Sequence, residues 1–245
     1  MRGIILAAGR GSRLRELTND VPKCMMKIDN QYLIEHIKKT YTEASIYDVI
    51  VVTGYRSDLI ENLGFSTIFN NDWSKGNMVS SLYLALEKFV DDDLIVSYSD
   101  IIYGSKALEL LRESESDIAI TYDKQWLELW NKRSDDPLSD AENFKIDEKN
   151  ILVQIGGSAS SLNTIQGQFM GLIKISKKGA KQILDLISRR PAMRLKSDTT
   201  GLLAALIECG YEIEAINYAS GWAEVDTPDD LQLAEKLYKA GQIGT

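Results

Sequence analysis

The chain has 245 residues, 44% of them hydrophobic and 26% charged. That is ordinary for a soluble globular protein and enough for one sizeable core. With 28 Lys and Arg against 36 Asp and Glu, the formal charge is −8. An acidic surface repels phosphate polyanions, so neither nucleic acid nor an anionic membrane is an expected partner.

Cys24 and Cys209 are the only cysteines, too few for a disulfide framework or a cysteine-rich zinc site, and the single histidine, His36, excludes mechanisms that need two. No run approaches the ~20 apolar residues of a membrane span. Arg10, Arg13 and Arg15 interrupt the apolar start that a signal peptide requires. The expected location is cytoplasmic. A single domain over 1–245 is expected, without linker or repeat.

Short β-branched runs alternate with helical stretches. Residues 3–7 read as a first buried strand. Residues 32–41 place Leu33, Ile34, Ile37 and Tyr41 at helical spacing, with His36 on the same helix as a surface or packing residue. Strands are expected at 48–53 and 66–69, a helix at 78–89, a strand at 93–98, a helix at 107–112 and a strand at 117–121. Continuous apolar strands separated by helices predict an α/β fold with a mostly parallel sheet covered on both faces. Residues 122–143 are polar, acidic and tryptophan-rich. Residues 144–175 hold short strand candidates and read as a small antiparallel extension. Helices follow at 179–187 and 199–209, then a strand at 212–217 and a last helix at 228–238, announced by Asp226-Thr-Pro-Asp.

Two features carry chemistry. Leu6-Ala7-Ala8-Gly9-Arg10-Gly11-Ser12-Arg13-Leu14 directly follows the first strand. Glycines there let backbone N–H groups turn towards phosphate oxygens, and Arg10, Arg13, Arg15 and the nearby Lys23 add positive charge. Leu14 stands where a GxGxxG dinucleotide loop needs glycine, and no P-loop is present. A plain βα turn with solvated arginines is the alternative. The second feature is a pair of acids, Asp100 after the 93–98 strand and Asp226 after Trp222-Ala-Glu-Val. Carboxylates at the carboxyl ends of strands lie where open α/β sheets bind ligands, and a pair suits Mg²⁺. Alternatively, Asp100 begins a loop and Asp226 caps the last helix.

The stretch from Ile4 to Met25 resembles the LAAGxGxRLxPLTxxxPK signature of the nucleotidyltransferases that activate sugar phosphates and phosphocholine, with Glu16 in place of the usual proline. The resemblance extends over nearly the whole chain. It implies a Rossmann-like, nucleotide-diphospho-sugar transferase type of fold, with Lys23 and Arg13 on the reacting phosphates and Mg²⁺ on Asp100 and Asp226. The nucleotide would lie against Leu6, Ala7, Ala8, Gly9, Gly11, Ser12, Gly54, Tyr55, Asn77, Ser80 and Ser99. Asn77 and the helix after it resemble the cytidylyltransferases more than the sugar enzymes, which implies CTP. Asn77 can equally cap that helix.

Trp126 and Trp130 share a face if residues 122–133 are helical, with Arg133 one turn on. Aromatic faces, carboxylates and an arginine could form a pocket for a zwitterion; an insert anchored by its tryptophans is the alternative. Asp123, Trp126, Trp130, Arg133, Pro137, Leu138, Asp140, Ala141 and Glu142 resemble a pattern of cytidylyltransferases acting on phosphonates or a phosphorylated amino acid amide. The resemblance implies acceptor contacts from Trp126, Trp130, Arg133, Asp140, Glu142 and Gln168, with an acceptor-binding insert at about 122–145. The expected reaction is CMP transfer from CTP to a small phosphonate, phosphocholine or phosphoglutamine-like acceptor, releasing pyrophosphate. A homo-oligomer is compatible with the sequence. Its rivals are a sugar-1-phosphate uridylyl- or thymidylyltransferase, a nucleotide sensor without turnover, and a dinucleotide-dependent oxidoreductase.

Overall fold

A computed structural model describes residues 1–243; the side chain of Arg15 and residues 244–245 lie outside the described residues. In chain order the elements are β1 (Arg2–Ala7), β2 (Lys27–Ile28), β3 (Gln31–Tyr32), α1 (Leu33–Glu43), β4 (Val49–Thr53), α2 (Ser57–Glu61), β5 (Ser66–Phe69), α3 (Met78–Lys88), β6 (Leu94–Tyr98), β7 (Ile101–Ile102), α4 (Ser105–Glu113) and β8 (Ile118–Asp123). Then come α5 (Trp126–Arg133), β9 (Glu142–Ile146), β10 (Leu152–Ser158), β11 (Gln168–Ile175), α6 (Lys177–Arg189), α7 (Met193–Lys196), α8 (Thr199–Glu208), β12 (Glu214–Asn217), β13 (Ala223–Glu224) and α9 (Pro228–Lys239).

Seven strands form the main sheet in the order β12-β8-β11-β6-β1-β4-β5. β11 runs antiparallel to both of its neighbours, and the other pairings are parallel. Ile4 and Ile5 of β1, Leu94 to Val96 of β6 and Ile118 to Ile120 of β8 are fully buried, so both faces of the sheet are covered, as their unbroken apolar runs predict. α1 packs with α4, and α3 packs with α6, α7 and α8. His36 is a packing residue, with Nε2 on the Ile28 carbonyl at 2.9 Å and its ring edge-on to Tyr238.

The antiparallel extension expected at 144–175 divides in two. β11 enters the main sheet, whereas β9 and β10 pair only with each other as a separate two-stranded sheet. A second small ladder has no sequence signal: β13 pairs antiparallel with β7, matching Ala223 to Ile102 and Glu224 to Ile101. It sets the Val225 N–H on the Asp100 carbonyl at 2.8 Å. This ladder joins two distant acidic segments. Among the described residues, no helix is long and apolar enough to cross a membrane.

Candidate functional site

β1, β4 and β6 are adjacent and parallel, so their carboxyl ends open onto one edge of the sheet. Past β1 the chain turns through Gly11, whose φ of 77° is left-handed, and enters a 3₁₀ segment over Ser12–Thr18. A Cβ on Gly11 would lie 2.6 Å from the Cβ of Lys23. The glycine therefore serves two ends, the turn and the close packing of the lysine beneath it.

A cleft of about 420 Å³ lies over this loop, walled by Leu6, Ala8, Gly9, Gly11 and Ser12 on one side and by Asn70, Trp73, Asn77 and Ser80 on the other. Ser99, Asp100 and Lys23 line it as well. Three residues expected here stand back from it. Ala7 is the buried end of β1. Gly54 lies under Trp73, where a Cβ would meet that side chain at 2.4 Å. Tyr55 donates its hydroxyl to the Asn19 carbonyl and leans on Trp73 from behind. Asn77 lines the cleft and also accepts the Met78 N–H at 2.8 Å as the cap of α3. Arg10 turns away to Asn19 and the Thr18 carbonyl.

A second cleft of about 200 Å³ adjoins the first, walled by Trp130, Asp140, Glu142, Phe144, Gln168, Asp198 and Thr200. Arg13, Tyr98, Glu224 and Asp226 line both clefts. Trp126 and Arg133 do not reach the second cleft. Trp126 is buried edge-on against Trp130, which in turn leans on Trp222, so the tryptophans anchor the insert. Gln168 is spent on backbone: its amide accepts from the Glu142 N–H at 3.1 Å and donates to the Glu142 carbonyl at 2.7 Å. Asp198 and Thr200 are not among the expected residues; Asp198 also caps α8, accepting the Gly201 N–H.

At the junction, carboxylate oxygens of Asp100, Glu224 and Asp226 lie within 4.8 Å of one another. Asp226 is not the cap of α9. That role falls to Thr227, in a reciprocal box with Asp230, which leaves the Asp226 side chain facing the junction. Lys23 donates to Asp100 at 2.7 Å and to Asp226, and Arg13 donates to Asp226 at 2.5 Å. Burial alone would lower the Lys23 pKa, but the charges of Asp100 and Asp226 outweigh it and hold the ammonium raised. Burial, then the charge of Asp226, pushes Glu224 up to about 7 against the pull of Arg133. Asp100 Oδ1 is buried with no hydrogen-bond partner. Three crowded carboxylates and one orphaned oxygen are a donor set suited to a hard divalent cation. Glu224 is the member of this set that sequence reasoning missed; its spacing two residues before Asp226 was the available signal.

Residues 3–195 match the MobA-like NTP transferase domain. A CTP:phosphoglutamine cytidylyltransferase of Campylobacter jejuni is 33% identical over 250 residues, covering 95% of this chain and 98% of that protein. A choline-phosphate cytidylyltransferase of Streptococcus pneumoniae is 35% identical over 99 residues, covering 39% of this chain and 43% of that protein. In fold, the inositol-1-phosphate CTP transferase from T. maritima superposes with a TM-score of 0.76 at 23% identity, covering 100% of this chain and 97% of that one. The glycine loop, the mixed sheet and these matches agree: the chain belongs to the MobA-like NTP transferase family and is a nucleotidyltransferase.

Proposed function

We propose that the protein transfers CMP from CTP to a small acceptor carrying a phosphate or phosphonate at one end and an amino group at the other, releasing pyrophosphate. The observation that carries this reading is the meeting of two clefts at one cluster of Asp100, Glu224 and Asp226, flanked by Lys23 and Arg13. Cytosine as the base is supported by the cytidylyltransferases among the relatives. The amino group is supported by the lining of the smaller cleft, where Asp140, Glu142 and Asp198 add three carboxylates. Burial raises the pKa of Glu142 and, against the pull of Arg133, of the half-exposed Asp140, so a bound ammonium would find carboxylates to pair with.

The chemistry asks little of the side chains. An acceptor oxygen bonds to the α-phosphorus while the bond to the β-phosphate oxygen breaks, and pyrophosphate leaves with that electron pair. A phosphate monoester is largely dianionic at pH 7, its second pKa being about 6, so no general base is required. Lys23 and Arg13 neutralise charge on the transferring and leaving phosphates. Both are paired with Asp226, so nucleotide entry exchanges carboxylate contacts for phosphate contacts. Mg²⁺ held by Asp100, Asp226 and Glu224 would supply further charge neutralisation and orient phosphate oxygens.

The test is pyrophosphate release with Mg²⁺, with CTP, UTP and dTTP set against 2-aminoethylphosphonate, phosphocholine, phosphorylated glutamine and glucose 1-phosphate. Release confined to CTP with an amine-bearing acceptor is expected. Release with UTP or dTTP and glucose 1-phosphate would replace this reading with the sugar enzyme.

A further inference from the structure

Arg133 closes α5, the helix of the tryptophan-rich insert, yet its side chain is only 7% exposed and does not line the acceptor cleft. Its guanidinium is used on every side. Nη1 donates to Glu224 Oε2 at 3.0 Å and lies 3.7 Å from Asp140 Oδ2. Nε and Nη2 reach the two oxygens of Asp230 at 2.9 and 3.4 Å. The plane packs over Trp130, 4.9 Å from the ring centre. Asp230 Oδ2 in turn accepts the backbone N–H of Asp226 at 3.1 Å and of Thr227 at 2.9 Å.

One fork therefore touches four things: the insert, the Asp140 rim of the acceptor cleft, the Glu224 carboxylate, and the cap that fixes the Asp226 turn. We infer that Arg133 is a positioning residue for group transfer, holding Glu224 and the Asp226 turn in place so that the insert builds the acceptor cleft and the cation-binding carboxylates as one unit. The inference rests on the transferase reading above. A lysine could replace the charge but not the fork, since a single ammonium cannot span Glu224 and both oxygens of Asp230.

The experiment compares the full-length wild type with Arg133→Gln and Arg133→Lys. Binding of Mn²⁺ alone is read from the loss of the free-ion electron paramagnetic resonance signal, alongside melting curves and steady-state kinetics. Outer residues that orient metal ligands are worth about 10–100-fold in metal affinity or activity. Arg133→Gln is expected to weaken Mn²⁺ binding and lower kcat by that factor, with the KM for CTP changing less than about threefold. Arg133→Lys is expected to recover thermal stability but only part of the Mn²⁺ affinity; it decides the matter if the glutamine variant does not fold. Wild-type Mn²⁺ affinity in a folded variant would overturn the inference. So would a rise in acceptor KM with kcat and Mn²⁺ affinity unchanged, which would make Arg133 an acceptor contact. If the wild type turns over no nucleotide, the transferase reading fails by itself, and the Mn²⁺ comparison still decides the role of Arg133.

Discussion

The two clefts share Arg13, Tyr98, Glu224 and Asp226 but are assembled in opposite ways. The larger cleft, proposed for the nucleotide, is built on the glycine loop after β1 and includes small residues such as Ala8, Ser12, Ser80 and Ser99, with Gly11 and Lys23 packed against each other. The smaller cleft, proposed for the acceptor, draws residues from α5, β9, β11 and the start of α8, and Asp140, Glu142, Asp198, Glu224 and Asp226 are among its lining. A backbone site is constrained by turn geometry and tolerates little change. A side-chain site can be rewritten one residue at a time. On the proposed function, base choice falls to the larger cleft and acceptor choice to the smaller one.

Four substitutions follow in order of size, and the first two test that division. Lys23→Met removes the donor that the proposed reaction places on the reacting phosphates. It is expected to lower kcat by about 10²–10³ with every acceptor alike, measured as pyrophosphate release; a loss seen with only one acceptor would blur the two clefts. Glu142→Gln should raise the KM of an amine-bearing acceptor about tenfold, in line with about 1.5–3 kcal/mol for a charged hydrogen bond. The KM for CTP should stay fixed, and a parallel rise would break the division. Thr227→Ala deletes the cap of α9 and should cost about 1 kcal/mol. In a chain of this size that lowers Tm by about 2–4 °C, while Asp226 loosens and metal affinity falls with it. The smallest effect concerns acid. Burial raises Asp230, but the hydrogen bond and charge of Arg133 outweigh it and hold its carboxyl below the ordinary range. Its pKa therefore lies lower folded than unfolded, where it is about 3.9. The pair stabilises the fold above that pH, and the stabilisation is lost as pH falls through the folded value. Asp230→Asn should flatten the drop in Tm below about pH 4, seen by thermal melts along an acid titration.

The same contrast explains what could be read from the chain. The strands of the main sheet announce themselves because burial on both faces demands unbroken apolar runs, as in Ile4 to Ala7 or Leu94 to Val96. The nucleotide loop is legible because a left-handed turn at Gly11 admits few residues. The acceptor side is harder. Trp126 and Arg133 carry the right chemistry for an acceptor, but packing and ion pairs claim them first. Gln168 is spent on the Glu142 backbone. Glu224 and Asp198 enter through tertiary placement: one by the two-residue β7–β13 ladder, the other as a helix cap that faces a cleft. Locally, only the spacing of Glu224 two residues before Asp226 hints at either.

That short ladder also governs when the enzyme can exist. Lys23 and Asp226 are 203 residues apart in sequence, and the β7–β13 ladder lies beside their meeting point. Closing so long a loop costs little more than closing one half its length, about 0.6 kcal/mol per doubling, so the burden falls on the folding rate rather than on stability. A ribosome releasing this chain delivers the whole glycine loop early but cannot complete the acidic cluster until residue 226 has emerged. If the cluster holds a cation as proposed, it cannot do so in full before that point.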